Sequence, residues 1–173
     1  NIDKGQHLIR ENNWDNVKVV PGGNRRQDSV IEGLKALRHS EWIIIHDGAR
    51  PCVDEPLIWA SLSSAKETGA SIATAQVNDT IKVLDPLGRV DRTPVRDSLA
   101  IAQTPQAFKR SILEEAITHN EDTVTDEATL VETLGHPVAT FKGAYTNIKV
   151  TTPLDLVIAK TILQERADSS TSP

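Results

Sequence analysis

Two largely apolar runs are the clearest pattern along the chain. Residues 42–46 read Trp-Ile-Ile-Ile-His, and residues 72–77 again carry mostly apolar side chains. A strand with one face in water alternates apolar and polar residues, whereas a strand covered on both faces keeps a continuous apolar run. Both segments are therefore predicted to be strands of a sheet that has helices on both faces.

Two helices are predicted next to these strands. Residues 28–37 repeat apolar side chains at helical spacing, and Ser29 and Glu32 have the spacing of a capping box at the start of that helix. Asp54 is placed to cap a second helix, and Gly69 is placed just beyond its end. Helices and strands therefore alternate along this part of the chain.

The alternation continues towards the end of the chain and indicates an α/β fold. We expect a Rossmann-like three-layer sandwich with a mostly parallel sheet, formed as one domain by residues 1–166 and followed by a flexible tail at residues 167–173. The remaining predicted elements are helices at residues 3–14, 108–118, 125–134 and 152–163 and strands at residues 17–20, 138–141 and 147–150.

A polar hairpin interrupts this alternation. Residues 80–84 and 89–95 carry many polar side chains and flank the turn sequence Asp-Pro-Leu-Gly at residues 85–88. A two-stranded ribbon is only marginally stable alone. We therefore predict a β-arm at about residues 80–95 that extends from the domain and pairs with a second subunit.

Charge and composition argue against two classes of protein. The 173 residues include 24 acidic and 19 basic side chains, a formal net charge of −5, whereas a protein that follows a nucleic-acid backbone is usually basic. No apolar run in the sequence reaches the length of a membrane span. Cys52 is the only cysteine, which excludes an intrachain disulfide and is typical of a reducing compartment. We therefore expect neither nucleic acid nor membrane as a partner.

Candidate ligand-binding residues follow the predicted strands, where open α/β sheets bind their ligands. Gly22, Gly23 and Ser29 surround a helix start, whose outward N–H groups favour phosphate, although an ordinary turn with a capping serine has the same pattern. Asp47 and Arg50 follow the most apolar strand. They could bind Mg²⁺ and a phosphate, respectively, or form a salt bridge with each other.

Further candidates occur later in the chain. Thr104 precedes a proline, which favours an extended backbone and fixes the direction of its hydroxyl. Arg96 on the hairpin and Lys149 before a helix start could each bind a phosphate or be solvated surface residues. Thr125 belongs to the segment Thr125-Asp126-Glu127, which is first of all an expected helix cap with acidic side chains on the first turn. His46 is interpreted as a packed residue at a strand end, because no metal-ligand spacing pairs it with another histidine.

Six short motifs occur in one order along the chain. They are Gly-Gly-x-x-Arg-x-x-Ser-Val at residues 22–30, His-Asp-Gly-Ala-Arg-Pro at 46–51, Asp-Thr-Ile-Lys at 79–82, Gln-Thr-Pro-Gln-x-Phe at 103–108, Thr-Asp-Glu-Ala at 125–128 and Asn-Ile-Lys-Val-Thr at 147–151. Each motif alone is weak evidence for a protein family, but six motifs in the same order along the chain are specific evidence for one. From about Val19 to Leu163, the sequence resembles the 2-C-methyl-D-erythritol 4-phosphate cytidylyltransferases of non-mevalonate isoprenoid synthesis.

The resemblance implies an enzyme that transfers CMP from CTP to 2-C-methyl-D-erythritol 4-phosphate, releases pyrophosphate and uses Mg²⁺. Arg96 and Lys149 would position the substrate phosphate, and Asp47 is the carboxylate nominated for the metal. By the same resemblance, CTP would be bound by Gly23, Asn24, Ser29, Asp47 and Gly48, and the phosphorylated substrate by Arg50, Thr80, Thr104 and Thr125.

The resemblance also implies a homodimer that exchanges its β-arms, so that the partner subunit's Arg96 would complete each site. The expected compartment is the bacterial cytoplasm, or the plastid stroma in a plant. The family's Gly-rich basic loop has no counterpart in residues 1–20, which predicts poor turnover by the chain as printed. Two alternatives stay open: a ribitol 5-phosphate cytidylyltransferase, although residues 49–52 favour methylerythritol phosphate, and a catalytically inactive ligand-binding or dimerisation module.

Overall fold

The computed structural model describes residues 2–37, 39–119 and 124–171. Within these residues, no helix is both long enough and apolar enough to cross a membrane. The helices are α1 (Ile2–Asn12), α2 (Arg26–Ala36), α3 (Glu55–Thr68), α4 (Arg110–His119), α5 (Glu127–Thr133) and α6 (Pro153–Thr171). The strands are β1 (Trp42–Ile45), β2 (Ala70–Gln76), β3 (Val83–Leu84), β4 (Val90–Arg92), β5 (Ala100–Lys109) and β6 (Ala139–Lys142).

The central sheet has the strand order β1-β5-β2-β6. β5 pairs antiparallel with both β1 and β2, and β6 pairs parallel with β2. β1, β2 and β6 therefore run in one direction, and β5 runs against them. The predicted α/β class is confirmed, with one antiparallel strand inserted between the two apolar strands.

β5 is the strand that the sequence pattern does not reveal. It contains Pro105, and proline within a sheet is mostly confined to edge strands and bulges. The register between β2 and β5 shifts between Ile72 and Ala73, so that Thr104 and Pro105 have no partner in this ladder. The bulge accommodates the proline, and the helix predicted at residues 108–118 starts two residues later, after the strand has ended.

Alternate residues of β2 face opposite sides of the sheet. The Ser71 hydroxyl faces α3, where it donates a hydrogen bond to the Ser61 carbonyl oxygen at 2.7 Å. Ala70 and Ile72 face the other side and pack with Phe108 in a core completed by residues of α2, α4 and α5. Helices therefore cover both faces of the sheet, which produces the predicted three layers.

Both ends of α3 are determined by residues next to the helix, as the sequence predicts. The Asp54 carboxylate accepts a hydrogen bond from the Leu57 N–H at 3.0 Å and caps the first turn. Gly69 ends the helix with a φ of +89°, in the left-handed region that a side chain disfavours. Both predictions for this helix are confirmed.

The start of α2 differs from the predicted capping box. The helix begins at Arg26, and Ser29 therefore lies within its first turn. Asp28 accepts a hydrogen bond from the Arg25 N–H at 3.0 Å and also pairs with the Arg25 guanidinium at 2.7 Å. Because of these contacts the helix begins before Ser29, which therefore does not cap it. The Ser29 hydroxyl instead accepts a hydrogen bond from the Gly23 N–H.

Two predicted short strands are wrong for the part of the chain that the structure describes. Residues 17–20 form no ladder, and Val19 packs so closely on Gly5 of α1 that a Cβ at this glycine would lie 2.8 Å from the valine. Residues 147–150 also form no ladder, although the Val150 N–H donates a single hydrogen bond to the Ala49 carbonyl oxygen at 2.7 Å. β-branched residues favour a strand only where a neighbouring strand offers pairing and packing.

The predicted hairpin is present as a separate two-stranded sheet of β3 and β4. The Asp85 carboxylate closes its turn by accepting hydrogen bonds from the N–H groups of Leu87 and Arg89, both at 2.9 Å. Gly88 in the same turn has a φ of +77°. The contact of this hairpin with a second subunit stays a prediction.

The last helix, α6, is longer than predicted and includes residues 167–171 of the expected tail, while residues 172 and 173 lie outside the described residues. Its start is held by Asp155, whose Oδ2 accepts hydrogen bonds from the N–H groups of Thr151 at 3.0 Å and Thr152 at 2.8 Å. Both threonine hydroxyls also donate to this oxygen. The bonds from Thr151 and Thr152 hold the pKa of Asp155 below its ordinary value.

Asp155→Asn is expected to lower the melting temperature at neutral pH and to have no effect in strong acid. Because the folded-state pKa is lowered, the carboxylate stabilises the fold above its ordinary pKa of about 4, and this contribution is lost as the pH falls through the folded-state value. Melting curves by circular dichroism should show the two proteins converging in acid. Asp15→Asn, at an exposed site, is the control; a difference that stays constant with pH would contradict the prediction.

Candidate active site

Five sequence-predicted residues meet in a cavity of about 180 Å³ beyond the end of β1. Asp47 and Arg50 lie in the loop after β1, Thr104 lies on β5, and Thr125 and Lys149 precede α5 and α6. The sheet edge thus brings together positions that are far apart in the sequence. The cavity is lined by Arg26, Asp47, Arg50, Ala102, Gln103, Thr104, Gln106, Thr125, Asp126 and Lys149.

A larger groove, of about 680 Å³, lies between α2 and α4 and is lined by none of the predicted residues. Its charged side chains already have partners, since Lys35 pairs with Glu32 at 2.7 Å and Arg110 pairs with Glu114 at 2.8 Å. Binding sites are marked by convergent polar groups as well as by size. The smaller cavity is therefore the better candidate.

Asp47 stands at the centre of three cationic side chains. Its Oδ2 lies 3.2 Å from Lys149 Nζ and 3.4 Å from Arg50 Nε, and its Oδ1 lies 3.6 Å from Nη2 of Arg26. Only 14% of the Asp47 side chain and 11% of the Arg50 side chain are exposed, so that water screens the contact between these two residues weakly. A phosphate entering the cavity could take over the contacts of these cations with Asp47, and the cluster therefore suits an anionic ligand.

The same cations determine the charge of Asp47. Burial raises the pKa of its carboxyl group, but the hydrogen bond from Lys149 and the charges of Lys149, Arg26 and Arg50 outweigh this effect. The pKa therefore lies below its ordinary value. Asp47 is a carboxylate at neutral pH and keeps the cations together when no ligand is bound.

A chain of hydrogen bonds fixes the Thr104 hydroxyl. It accepts from the Asp47 backbone N–H at 3.0 Å and lies 3.0 Å from Nδ1 of His46. Nε2 of His46 lies 3.0 Å from the Arg50 carbonyl oxygen, which can only accept a hydrogen bond. In the neutral imidazole the proton is therefore on Nε2, and Nδ1 accepts from Thr104. His46 packs at the strand end as interpreted, and Thr104 holds the loop that carries Asp47 and Arg50.

Asn147 anchors the segment that carries Lys149. It is fully buried, and its Nδ2 donates a hydrogen bond to the Thr104 carbonyl oxygen at 2.7 Å. The Arg50 guanidinium in turn donates to the Asn147 carbonyl oxygen at 2.8 Å. Lys149, two residues later, extends from this fixed backbone with 47% of its side chain exposed.

Of the predicted nucleotide-binding residues, Asp47 lines the cavity, whereas Gly23, Asn24, Ser29 and Gly48 lie outside its lining. Ser29 lies in the first turn of α2, and Gly23 and Asn24 lie in the turn before that helix. In this turn the Gly23 N–H donates to the Ser29 hydroxyl at 3.0 Å, and a Cβ at Gly23 would lie 2.1 Å from the Cβ of Asp28, which explains the need for glycine. Asn24 is exposed. Gly48, in the loop after β1, has open space where a Cβ would be. Their contacts with CTP stay predictions.

Arg96 and Thr80 do not reach the cavity within this chain. Arg96 begins a 3₁₀ turn, donates to the Asn78 carbonyl oxygen at 3.3 Å and lines a different groove beside Lys142. Thr80 is exposed, before the first strand of the hairpin. The predicted joint action of Arg96 and Lys149 therefore requires a second subunit.

Five lining residues are absent from the predicted site residues: Arg26, Ala102, Gln103, Gln106 and Asp126. All except Ala102 belong to one of the motifs, but a motif does not show which of its members face the cavity. Gln106 bridges β5 and α5, because its Nε2 donates to Asp126 at 3.1 Å and its Oε1 accepts from the Ala128 N–H at 3.2 Å. Apart from Ala102, the motifs mark these residues as candidates, but only the fold shows that they face the cavity.

The donor set limits how a metal could bind. No group of three or more His, Cys, Asp or Glu side chains suited to a metal occurs in residues 2–37, 39–119 and 124–171. Asp47 is shared by three cations, and the Asp126 oxygens accept from Gln106 and from the Thr129 N–H at 3.0 Å. The residues therefore fit Mg²⁺ only as an ion that arrives with a polyphosphate, which supplies most of its ligands.

Comparison with known proteins points to one family. The sequence model described as 2-C-methyl-D-erythritol 4-phosphate cytidylyltransferase (IspD) matches residues 1–165. A protein of that name from Dehalococcoides mccartyi is 43% identical over 166 residues, which are 95% of this chain and 73% of that protein. Another, from Bacillus licheniformis, is 46% identical over 151 residues, 86% of this chain and 65% of that protein.

Solved structures agree with the sequence comparison. The 4-diphosphocytidyl-2C-methyl-D-erythritol synthase of Anaerococcus prevotii has a TM-score of 0.84 at 34% identity, with 93% of this chain and 78% of that chain covered. The 2-C-methyl-D-erythritol 4-phosphate cytidylyltransferase of Thermus thermophilus has a TM-score of 0.76 at 34% identity, with 84% of this chain and 72% of that chain covered. Sequence motifs, fold and these matches lead to one conclusion: the chain belongs to the 2-C-methyl-D-erythritol 4-phosphate cytidylyltransferase family.

Proposed function

We propose that the protein transfers the cytidylyl group of CTP to 2-C-methyl-D-erythritol 4-phosphate and releases pyrophosphate. Family membership supports this reaction. The structural observation that carries it is the cavity beyond β1, where Lys149, Arg50 and Arg26 surround Asp47. Because the relatives above are bacterial, the compartment that we propose is the bacterial cytoplasm.

The reaction needs little acid–base catalysis. The phosphate of the substrate is already ionised at neutral pH, so that one of its oxygens can attack the α-phosphorus of CTP directly. A new oxygen–phosphorus bond forms, the bond from the α-phosphorus to the bridging oxygen of the β-phosphate breaks, and pyrophosphate leaves with the bonding electrons. The protein must bring two anions together and stabilise the charge on the transferred group and on the pyrophosphate.

Lys149 is the residue that we propose to orient the attacking phosphate. Its amine lies 3.2 Å from Asp47, and its side chain is 47% exposed, so that it can turn from the carboxylate to an incoming phosphate without crossing packed side chains. Arg50 contacts the same Asp47 oxygen and could also turn from it to the incoming phosphate. The other proposed substrate contacts are Thr80, Thr104 and Thr125.

CTP is proposed to bind along the turn before α2 and the loop after β1. Gly23 allows a close approach of the backbone, and Asn24 is exposed beside it. Ser29, Gly48 and Asp47 complete the proposed set. We propose that Mg²⁺ arrives with the triphosphate and that Asp47 is its candidate protein ligand; when bound, the ion would neutralise charge on the phosphates.

The hairpin is proposed to be an arm exchanged between the subunits of a homodimer. Arg96 lies in a groove of its own chain, apart from Lys149. A dimer in which the partner subunit's Arg96 reaches the cavity would bring a further cation to the substrate phosphate. This arrangement accounts for a two-stranded sheet that is separate from the central one.

The test is CTP-dependent release of pyrophosphate by the full-length protein. We expect kcat/KM with 2-C-methyl-D-erythritol 4-phosphate to exceed that with ribitol 5-phosphate by about 10- to 100-fold, because the two polyols place their hydroxyl groups differently. UTP in place of CTP is the nucleotide control. Faster turnover of ribitol 5-phosphate would favour that alternative, and calorimetric binding of methylerythritol phosphate without turnover would indicate an inactive binding module.

A further inference from the structure

Glu127 is a fully buried charged residue that has no part in the reaction described above. Its side chain lies in the first turn of α5 and is 0% exposed. Its Oε1 accepts a hydrogen bond from Nη1 of Arg26 at 2.5 Å, whereas its Oε2 has no hydrogen-bond partner among the described residues. A buried carboxylate is strongly destabilising without a counter-charge. Arg26 is the cation that supplies this charge.

Arg26 connects the buried carboxylate to the cavity. Its Nη1 bonds Glu127, and its Nη2 lies 3.6 Å from Oδ1 of Asp47. The guanidinium group is planar and holds its donors in a fixed fork, so that one orientation serves both contacts. Burial lowers the pKa of Arg26, but the hydrogen bond and charge of Glu127 outweigh this effect and leave the pKa above its ordinary value. Arg26 is therefore a permanent cation between two carboxylates.

This arrangement gives the two oxygens of Asp47 different partners. Oδ1 faces Arg26, and Oδ2 faces Lys149 at 3.2 Å and Arg50 at 3.4 Å. If Arg26 turned into solvent, Glu127 would stay buried without its counter-charge. The buried pair therefore restrains Arg26, and Arg26 restrains the rotation of the Asp47 carboxylate.

We propose that Glu127 and Arg26 are positioning residues that hold Asp47, and through it Lys149, in the orientation that receives the substrate phosphate. The inference rests on the proposed cytidylyl transfer and adds to it two residues that need not touch either substrate. A purely structural ion pair would stabilise the fold but would not affect the orientation of Asp47. The two roles therefore predict different kinetics.

Two variants of the full-length protein separate these roles. Arg26→Gln alone leaves Glu127 uncompensated and can fail to fold, so we remove both charges together in Arg26→Gln/Glu127→Gln. Arg26→Lys keeps a charge opposite Glu127 but lacks the fork that reaches both carboxylates. Glu114→Gln is the matched control, because Glu114 pairs with Arg110 on α4, outside the cavity.

We expect Arg26→Lys to retain the wild-type melting temperature while its kcat falls by about 10- to 100-fold, as small misplacements of reacting groups do. The KM values for CTP and methylerythritol phosphate should change by less than about threefold. The double variant should show the same loss of kcat, and Glu114→Gln should keep the wild-type value. Wild-type kcat in Arg26→Lys would mean that the ion pair is structural and would overturn the proposal.

A double-mutant cycle measures whether Arg26 acts through Asp47. In an Asp47→Asn background, Arg26→Lys should lower kcat by less than about threefold, because the group that it positions is already changed. Equal losses in both backgrounds would show that the two residues act independently, which the proposal forbids.

Crystal structures of the wild type and Arg26→Lys give a readout without turnover. We expect the Asp47 carboxylate to rotate in the variant and to lose its contact with Lys149. If the wild type is active and the variant has an unmoved Asp47 and an unchanged kcat, the positioning role fails and the proposed function stands. If the wild type shows no CTP-dependent release of pyrophosphate but Asp47 rotates, the proposed function fails and the positioning geometry stands. An inactive wild type and an unmoved Asp47 would overturn both.

Discussion

Lys149→Ala is expected to lower kcat/KM for cytidylyl transfer by about 10²- to 10³-fold, because it removes a cation that stabilises charge in the transition state. The fold should be almost unaffected, since about half of the side chain is exposed and a contact of this kind contributes at most about 1 kcal/mol. Arg26 and Arg50 remain to pair with Asp47. Pyrophosphate release and thermal melting of the same samples measure the two effects.

Two further variants test whether the loss of activity is specific to Lys149 and whether it depends on charge alone. Lys66→Ala removes a lysine from the exposed end of α3 and should change neither rate nor melting temperature. Lys149→Arg keeps the charge but changes its shape, and should recover only part of the activity. A wild-type rate in Lys149→Ala would rule out its role in orienting the phosphate. A large fall in melting temperature would instead make Lys149 a residue of the fold.

Mixing two inactive variants is expected to restore about a quarter of the wild-type activity, if each site combines residues of two subunits. Arg96→Ala and Lys149→Ala should each be nearly inactive alone. Random pairing makes half of the dimers mixed, and in each mixed dimer one site has Lys149 from one chain and Arg96 from the other. Co-expression, followed by the pyrophosphate assay on the unfractionated dimers, measures the recovery; mixed dimers isolated through two affinity tags should reach about half of the wild-type activity.

The control for this experiment uses two residues of the same cavity. Arg50→Ala and Lys149→Ala change side chains that contact the same Asp47 oxygen within one chain. A mixed dimer of these variants has no intact site, and its activity should not recover. If Arg96→Ala and Lys149→Ala also fail to complement each other, Arg96 does not act across the subunit interface, and the arm is not part of the active site.

Features that depend on neighbouring residues could be predicted from the sequence. The cap at Asp54 and the helix end at Gly69 each involve a few adjacent positions. The site could be predicted in part, because strands that run in one direction end at one edge of the sheet. For this reason Asp47 and Lys149 lie in one cavity, although about a hundred residues separate them.

Features that depend on distant partners could not be predicted in this way. β5 is a strand because β1 and β2 pair with it on both sides, although its own sequence contains a proline. Arg26 could be placed only once Glu127 was known to be buried beside it. Residues 17–20 show the converse case, since their β-branched side chains have no neighbouring strand among the described residues.

The bulge at Thr104 and Pro105 has a consequence for which sequence changes the enzyme can tolerate. Outside the ladder with β2, the Thr104 carbonyl oxygen is available to Asn147, whose segment carries Lys149. A substitution that straightened β5 would improve the sheet while detaching this lysine from its support. Mutations here could thus make the protein more stable and less active at once, so that screening for thermostability alone would select the wrong variants.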